Sequence, residues 1–262
     1  MISTVDRVSA LCRLTAERLR SLSPQRRDSI LQSALAQSLG RSGRIRAALK
    51  LTDSLVRLKR AGTQTAGLET PMMDDVLLGT LQDVTEALEA EGITYAITGS
   101  VASSVHGEPV ASLDVDLIVR MKPAQATGFA QRLPQHFYRS SEALVDAARD
   151  SGLANLIDLR SSLKIDLSVV AGTSFFDGVF RRSTKIEFAR GVDGYFVVSP
   201  EDIILMKLEW RRESKSGKQW ENALGVARAI GNRLDWSYLN EWASKLKVTD
   251  QLAALRVEAG LE

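Results

Sequence analysis

The chain has 262 residues and a formal net charge of +2, a length that fits one large domain or two small ones. Apolar residues make up 44% and charged residues 25%, as is typical of a globular protein. The single cysteine, Cys12, excludes an internal disulfide framework and a cysteine-based zinc site. No segment resembles a signal peptide or a membrane-spanning helix, so we expect a cytoplasmic protein without membrane contact.

Basic residues concentrate at the start of the chain. Residues 1–70, here called the basic N-terminal region, hold 13 Lys and Arg against five Asp and Glu, whereas the remainder holds 21 against 27. The simplest interpretation is a set of solvated helix faces. The alternative is an electrostatic surface for nucleic acid. Because this region has no aromatic residue, such contacts would be made to phosphates rather than by stacking on bases.

Hydrophobic periodicity divides the chain into three parts. Apolar residues recur at helical spacing through 3–60, and a stretch rich in Gly, Thr and Ala at 61–71 indicates a linker. We therefore predict a basic helical N-terminal region over 1–70, an α/β core over 71–198 and a helical C-terminal part over 199–262.

The predicted core alternates helices with short strands, and the C-terminal part is helical throughout. The predicted helices are 72–91, one beginning at 101–105, 123–133, 142–150, 203–210, 219–230, 236–246 and 249–259. The predicted strands are 95–98, 113–120, 156–159, 163–170, 185–189 and 195–198.

Two carboxylates lie inside an apolar strand. Asp114 and Asp116 are separated by two residues, so both point to one face, roughly 6.5 to 7 Å apart along the strand. An unpaired buried charge is costly, and a divalent cation is a natural partner for two carboxylates. A calcium-type or edge-strand feature, or chance, is the simpler alternative. Asp166, in another apolar strand, supplies a third carboxylate if the two strands are neighbours.

Other residues suit a phosphate ligand. Glycine at position 99 lets the backbone approach a ligand, and the helix start after Ser100 offers free N–H groups and a hydroxyl. Lys164 lies two residues before Asp166, so it can contact a phosphate or pair with a carboxylate. Lys207 is a cation in an apolar helix, where it can reach a triphosphate or extend its charge to water.

The combination favours metal-dependent phosphoryl chemistry. In two-metal sites, cations held by carboxylates clamp the attacking and leaving oxygens. Carboxylates suit Mg²⁺, with Mn²⁺ as the alternative ion, and Asp166 is the candidate base for an attacking hydroxyl.

The same motifs resemble the nucleotidyltransferase superfamily with the DNA polymerase β-like fold. The shared pattern is Gly-Ser, a loop, Asp-x-Asp in a hydrophobic strand and a later strand Asp. The longer segments that resemble the bacterial MNT/AbiEii-like branch are 95–103, 106–109, 112–117, 164–167 and 199–208. The resemblance covers roughly residues 72–255.

The resemblance implies an α+β fold, with a small mixed sheet flanked by helices. It also implies transfer of a nucleoside monophosphate from an NTP such as ATP to an acceptor hydroxyl, with Mg²⁺ required and pyrophosphate released. By position, Asp114, Asp116 and Asp166 become the catalytic, metal-binding residues. The nucleotide-binding residues become Gly99, Ser100 and Lys207, with Lys164 added from the strand pattern. Many relatives are toxins of toxin–antitoxin or abortive-infection systems, and some modify the tRNA acceptor end.

The chain departs from the family pattern at two positions. Relatives often carry Arg where this chain has Val110, and Asp where it has Asn222, with Glu221 as the potential substitute. The departure at Val110 concerns contacts to a phosphate or to the acceptor, and the departure at Asn222 concerns the acceptor. The leading hypothesis is a toxin-type enzyme that modifies RNA such as tRNA through the basic N-terminal region, with an antitoxin protein as a partner. The alternatives are transfer to a small molecule or to a protein hydroxyl, and a non-catalytic nucleotide-binding module.

Overall fold

The computed structural model describes residues 74–261 except 108, 110, 111, 113, 189–192, 215 and 216, together with residues 10, 14 and 23. The basic N-terminal region and the predicted linker therefore lie outside the described residues, apart from those three positions. The helices are α1 (Asp74–Ala90), α2 (Gly99–His106), α3 (Pro123–Arg132), α4 (Ser141–Asp150), α5 (Ser174–Arg182), α6 (Pro200–Ser214), α7 (Gly217–Ile230), α8 (Trp236–Lys245) and α9 (Thr249–Glu258). The strands are β1 (Thr94–Thr98), β2 (Asp114–Arg120), β3 (Phe137–Tyr138), β4 (Leu153–Asp158), β5 (Leu163–Val169), β6 (Thr184–Ile186) and β7 (Tyr195–Val197).

The strands form one mixed sheet in the order β3-β4-β5-β2-β1-β7-β6. The pairs β2–β5 and β1–β7 are parallel, and the four other pairs are antiparallel. A mixed sheet flanked by helices confirms the predicted α+β class. Within the described part of the chain, no helix combines the length and apolar character that crossing a membrane requires.

Alternation along the strands gives the sheet two different faces. On β2, Val115, Leu117 and Val119 are fully buried on one face, which leaves Asp114 and Asp116 on the other. Helix α1 covers the apolar face, as expected from the spacing of its buried apolar residues, Leu77, Leu81, Val84 and Leu88. On the carboxylate face, Thr98 at the end of β1 contacts Met206 of α6, with 3.8 Å from Oγ1 to Sδ.

The C-terminal helices share the hydrophobic core of the sheet. Buried residues of α6 to α9, such as Leu205, Leu224, Leu239 and Leu255, belong to the same cluster as the strand residues. This packing holds α6 against the sheet and thereby fixes the position of Lys207. The predicted three-part division of the chain stays a prediction.

Several elements differ from the sequence-based expectation, among them the short strand β3, which was not predicted. Strand β4 begins at Leu153 rather than 156, because its length is determined by pairing with β5 from Leu153 to Asp158. Helix α5 was not predicted, although Thr173 caps it by accepting a hydrogen bond from the Phe176 amide at 3.3 Å. Strand β6 covers Thr184–Ile186 rather than 185–189, because these are the described residues of this segment that pair with β7, and residue 189 lies outside the described residues.

A buried carboxylate ties the first described helix to the sheet. Asp158, at the end of β4, is fully buried and accepts hydrogen bonds from Thr80 of α1 at 2.7 Å and from Arg160 at 2.6 Å. Burial alone would raise the pKa of Asp158, but the hydrogen bonds from Arg160 and Thr80 outweigh it and lower the pKa. The ionised form is therefore the one that the fold stabilises.

We predict that Asp158→Asn lowers the free energy of unfolding by about 2 kcal/mol at pH 7, since charged hydrogen bonds are lost. The contribution of Asp158 is present above its ordinary pKa and is lost as the pH falls through its lowered folded pKa. Urea unfolding should accordingly show a smaller difference between wild type and variant at acid pH than at pH 7. Asp150→Asn, at an exposed position of α4, is the control and should behave as wild type. An equal deficit at both pH values would contradict the assignment.

Candidate active site

The pairing of β2 with β5 brings the predicted acidic residues together. The two strands are parallel, with Asp116 opposite Asp166 and Asp114 opposite Lys164. Neighbouring strands lie about 4.8 Å apart, so these side chains share one face at short distance. The condition set by the sequence, that the strand of Asp166 must neighbour the strand of Asp114 and Asp116, is met.

Gly99 lies directly against the Asp116 carboxylate. It follows β1 and has a φ of +63°, in the left-handed region that favours glycine. A Cβ atom at this position would lie 1.8 Å from Asp116 Oδ2 and 2.6 Å from its Cβ. The close approach therefore requires glycine for two reasons, the backbone angle and the absence of a side chain.

The start of α2 has no side-chain cap. The helix begins at Gly99, and Thr98 at the N-cap makes no side-chain hydrogen bond to the helix. The hydroxyl of Ser100 has no hydrogen-bond partner among the described residues, although the side chain is 6% exposed. Uncapped N–H groups and a free hydroxyl beside a glycine are groups that bind phosphate oxygens.

Two lysines approach the carboxylates from different elements. Lys164 Nζ lies 2.7 Å from Asp166 Oδ2, so in this structure it forms an ion pair within the strand. Lys207, on α6, is only 4% exposed. Burial lowers the pKa of Lys207 to about 8, helped by the charge of Lys218 and opposed by Asp116 and Asp114. Lys207 is thus a cation held near the carboxylates with little solvation of its own.

Burial and mutual repulsion disfavour the charged forms of the acidic residues. Burial, followed by the charges of Asp114 and Asp166, raises the pKa of Asp116 to about 6. Burial also raises the pKa of Asp166, although its hydrogen bond from Lys164 acts in the opposite direction. Ser112 donates a hydrogen bond to Asp114 Oδ1 at 2.5 Å and so orients that carboxylate.

This donor set fits a hard divalent cation. The oxygens come from carboxylates, the ligand type that Mg²⁺ prefers, and a cation would neutralise the charges of Asp114 and Asp166 that act on the buried Asp116 carboxyl group. No group of three or more His, Cys, Asp or Glu side chains in the described residues is arranged to hold a metal ion as it stands. Asp166 is engaged in an ion pair with Lys164, whereas no ion pair with a lysine is formed by Asp114 or Asp116 among the described residues.

Sequence reasoning missed Asn155 and Ser112. Asn155 is paired with Asp166 across the antiparallel β4–β5 ladder, but the predicted strand began at 156 and left it in a loop. A predicted strand that began at Leu153 would have placed Asn155 opposite Asp166.

Of the two departures from the family pattern, Val110 lies outside the described residues, and Asn222 lies in α7, which packs against α2.

No protein-family model matches the sequence, and the search of curated proteins found no match. Among solved structures, the antibiotic-resistance factor ANT(2'')-Ia is similar over 69% of this chain and 98% of its own, with 12% identity and a TM-score of 0.44. An antigenic nucleotidyltransferase-like protein from Paracoccidioides brasiliensis is similar over 68% and 91%, with 18% identity and a TM-score of 0.42. A CCA-adding enzyme bound to ATP is similar over 70% and 52%, with 13% identity and a TM-score of 0.33. The sequence motifs resemble the same class, but at such identities the function has to be inferred from this chain's own residues.

We predict that Gly99→Ala destabilises the protein more than Gly92→Ala. Both glycines have a φ of +63°, so each alanine incurs about 1–2 kcal/mol of backbone strain. An added Cβ has nothing within 4 Å at Gly92, whereas at Gly99 it overlaps Asp116. The free energies of unfolding in urea are compared for the two variants, and their difference measures the cost of the overlap with Asp116. Equal losses of unfolding free energy would show that Asp116 is not held against Gly99.

We also predict that Asp116→Asn raises the free energy of unfolding at pH 7, in chelator, by about 1–2 kcal/mol. Since the folded pKa of Asp116, about 6, exceeds its ordinary value, its ionisation weakens the fold as the pH rises between those two values. Wild type should therefore gain stability from pH 7 to pH 5 through this group, and the variant should not.

Thermal unfolding in chelator and in Mg²⁺ measures both effects. Mg²⁺ should stabilise wild type and narrow its difference from Asp116→Asn, because the ion binds only the folded cluster. Asp250→Asn, at an exposed position of α9, is the matched control. If Asp116→Asn is no more stable than wild type in chelator, the ionised Asp116 carboxylate does not destabilise the folded protein.

Proposed function

We propose that the protein is a Mg²⁺-dependent nucleotidyltransferase that moves a nucleoside monophosphate from an NTP to an acceptor hydroxyl and releases pyrophosphate. The observation that carries the proposal is the contact between Gly99 and Asp116, in which a Cβ would lie 1.8 Å from Oδ2. It joins an open helix N-terminus, suited to phosphates, to a carboxylate pair suited to a cation. A nucleoside triphosphate with its divalent cation presents both partners side by side.

The triphosphate is bound from the side of β1. The first N–H groups of α2 and the Ser100 hydroxyl donate to phosphate oxygens, and Gly99 lets the backbone approach them. Lys207, which is largely buried and retains its positive charge below its pKa of about 8, stabilises the negative charge of the leaving pyrophosphate. Burial strengthens this attraction, because little water competes for the ammonium group.

The reaction uses the carboxylates of this chain. The acceptor oxygen forms a bond to the α-phosphorus, the bond from that phosphorus to the bridging oxygen breaks, and pyrophosphate leaves. Asp166 takes the hydroxyl proton, and Lys164, 2.7 Å away, orients this carboxylate. Asp114 and Asp116, with Asp166, would hold the Mg²⁺, and Mn²⁺ suits the same ligands. When bound, the ion neutralises phosphate charge and makes the attacking hydroxyl more acidic.

RNA, with tRNA first, is the proposed acceptor. The support is the charge of the basic N-terminal region, 13 Lys and Arg against five Asp and Glu. Such a concentration of positive charge binds phosphate backbones without reading sequence. A toxin-type role, with an antitoxin protein to restrain it, follows from the family that the motifs resemble.

Incubation of the protein with the four NTPs, each labelled at the α-phosphate, and total tRNA tests the proposal. We expect Mg²⁺-dependent label on RNA in wild type and at least a thousandfold less in Asp114→Ala, since loss of a metal ligand removes the electrostatic stabilisation of the transition state. Asp250→Ala, at an exposed site on α9, should retain wild-type transfer.

Each other outcome has a definite meaning. Label on protein or on a small-molecule hydroxyl would refute the RNA acceptor and leave the transferase in place. Transfer that persists in Asp114→Ala would refute the assignment of the metal ligands. Absence of Mg²⁺-dependent nucleotide binding would refute the enzymatic proposal altogether.

A further inference from the structure

A row of polar side chains crosses four neighbouring strands. Thr98 of β1 is paired with Asp116 of β2, Asp116 with Asp166 of β5, and Asp166 with Asn155 of β4. Paired residues of adjacent strands point to the same face of a sheet. Asn155 is therefore the outermost member of the row that contains the candidate metal ligand and the candidate base.

The carboxamide of Asn155 is available to a ligand. The side chain is half-buried and has no hydrogen-bond partner within the described residues. Its antiparallel pairing with Asp166 places the two Cβ atoms about 4.5–5.5 Å apart. A carboxamide offers two N–H donors and one acceptor oxygen, so it can both donate to and accept from a hydroxyl.

Asn155 lies on the side of the site from which the acceptor must arrive. The groups suited to the triphosphate, namely Gly99, Ser100 and Lys207, belong to β1, α2 and α6. Displacement at phosphorus is in line, so the attacking hydroxyl enters opposite the leaving pyrophosphate. That direction leads across Asp166 toward β4, whose first residue, Leu153, is 68% exposed on the same face.

We propose that Asn155 binds the hydroxyl next to the reacting one, and that the acceptor is an RNA end with a free vicinal diol. While Asp166 takes the proton of the 3′-hydroxyl, the Asn155 amide hydrogen-bonds the 2′-hydroxyl of the same ribose. Asn155 is thus a specificity-determining residue that distinguishes a ribose end from a deoxyribose end. This inference rests on the proposed transfer to RNA.

The test compares two acceptors with two forms of the protein. The acceptors are a tRNA ending in ribose and the same tRNA ending in 2′-deoxyribose, which keeps the reacting 3′-hydroxyl. Wild type should use the ribose end about tenfold better, the factor expected for one hydrogen bond. Asn155→Ala should lose that preference, because its rate on the ribose end falls to the rate on the deoxyribose end. The deoxyribose rate itself should not change.

Controls separate a lost contact from a damaged fold. Asn240→Ala makes the same substitution at an exposed position of α8 and should keep the tenfold preference. Asn155→Ser keeps a small polar side chain but removes the carboxamide, and it should behave as Asn155→Ala. Thermal unfolding of each variant verifies that it is folded, and if Asn155→Ala is not, the serine variant provides the comparison.

Several results would overturn the inference. Equal wild-type rates on the two ends would show that the 2′-hydroxyl is not read, while the proposed transfer would stand. An equal fall on both ends in Asn155→Ala would assign Asn155 to the support of Asp166 instead. Failure of wild type to label either tRNA would refute the RNA acceptor itself, and the inference with it.

Discussion

The parallel pairing of β2 with β5 is the constraint on which the rest of this structure depends. It aligns Asp116 with Asp166 and Asp114 with Lys164, and so concentrates three carboxylates and one ammonium group on a single face. A shift of either strand by one residue would turn that strand's charged side chains toward the apolar core. The fully buried Val115 and Leu117 on the opposite face prevent that shift, so the hydrophobic core determines where the charged site forms.

The folded state holds the charged groups of the site where their charged forms are unfavourable. Burial and neighbouring charge raise the pKa of Asp116 to about 6, and burial lowers that of Lys207 to about 8. Each group is held where its charged form is poorly solvated, which weakens the folded state but strengthens the binding of an opposite charge. A cation at the carboxylates and a polyanion at Lys207 relieve both costs together, which is why the arrangement suits a metal-bound triphosphate.

Much of this could be predicted from local sequence. Asp114 and Asp116 alternate with apolar residues, and that period of two determines their common face wherever the strand lies in the sheet. The glycine at position 99 and the capping residues of α6 are likewise local signals. The order of most elements followed from such patterns, whereas the α+β class was expected from the resemblance to a known family.

The parts that could not be predicted depend on pairing between distant segments. Asn155 becomes part of the polar row only because β4 pairs with β5 in one register. Likewise, the sequence left open whether Lys164 contacts a phosphate or a carboxylate. In the structure, Lys164 forms an ion pair with Asp166. Short β3 has too few residues for a periodic signal and exists because Phe137 and Tyr138 pair with β4.

A crystal structure with Mn²⁺ and a non-hydrolysable NTP would show whether Asp114, Asp116 and the start of α2 form one site for a metal-bound triphosphate. We expect anomalous density for Mn²⁺ about 2.1 Å from oxygens of Asp114 and Asp116, with the triphosphate at the start of α2 and next to Lys207. A nucleotide bound elsewhere would contradict it, for instance in the cavity of about 340 Å³ lined by Tyr95, Phe180 and Phe196 near the beginning of β1. So would Mn²⁺ that leaves both carboxylates without a metal bond.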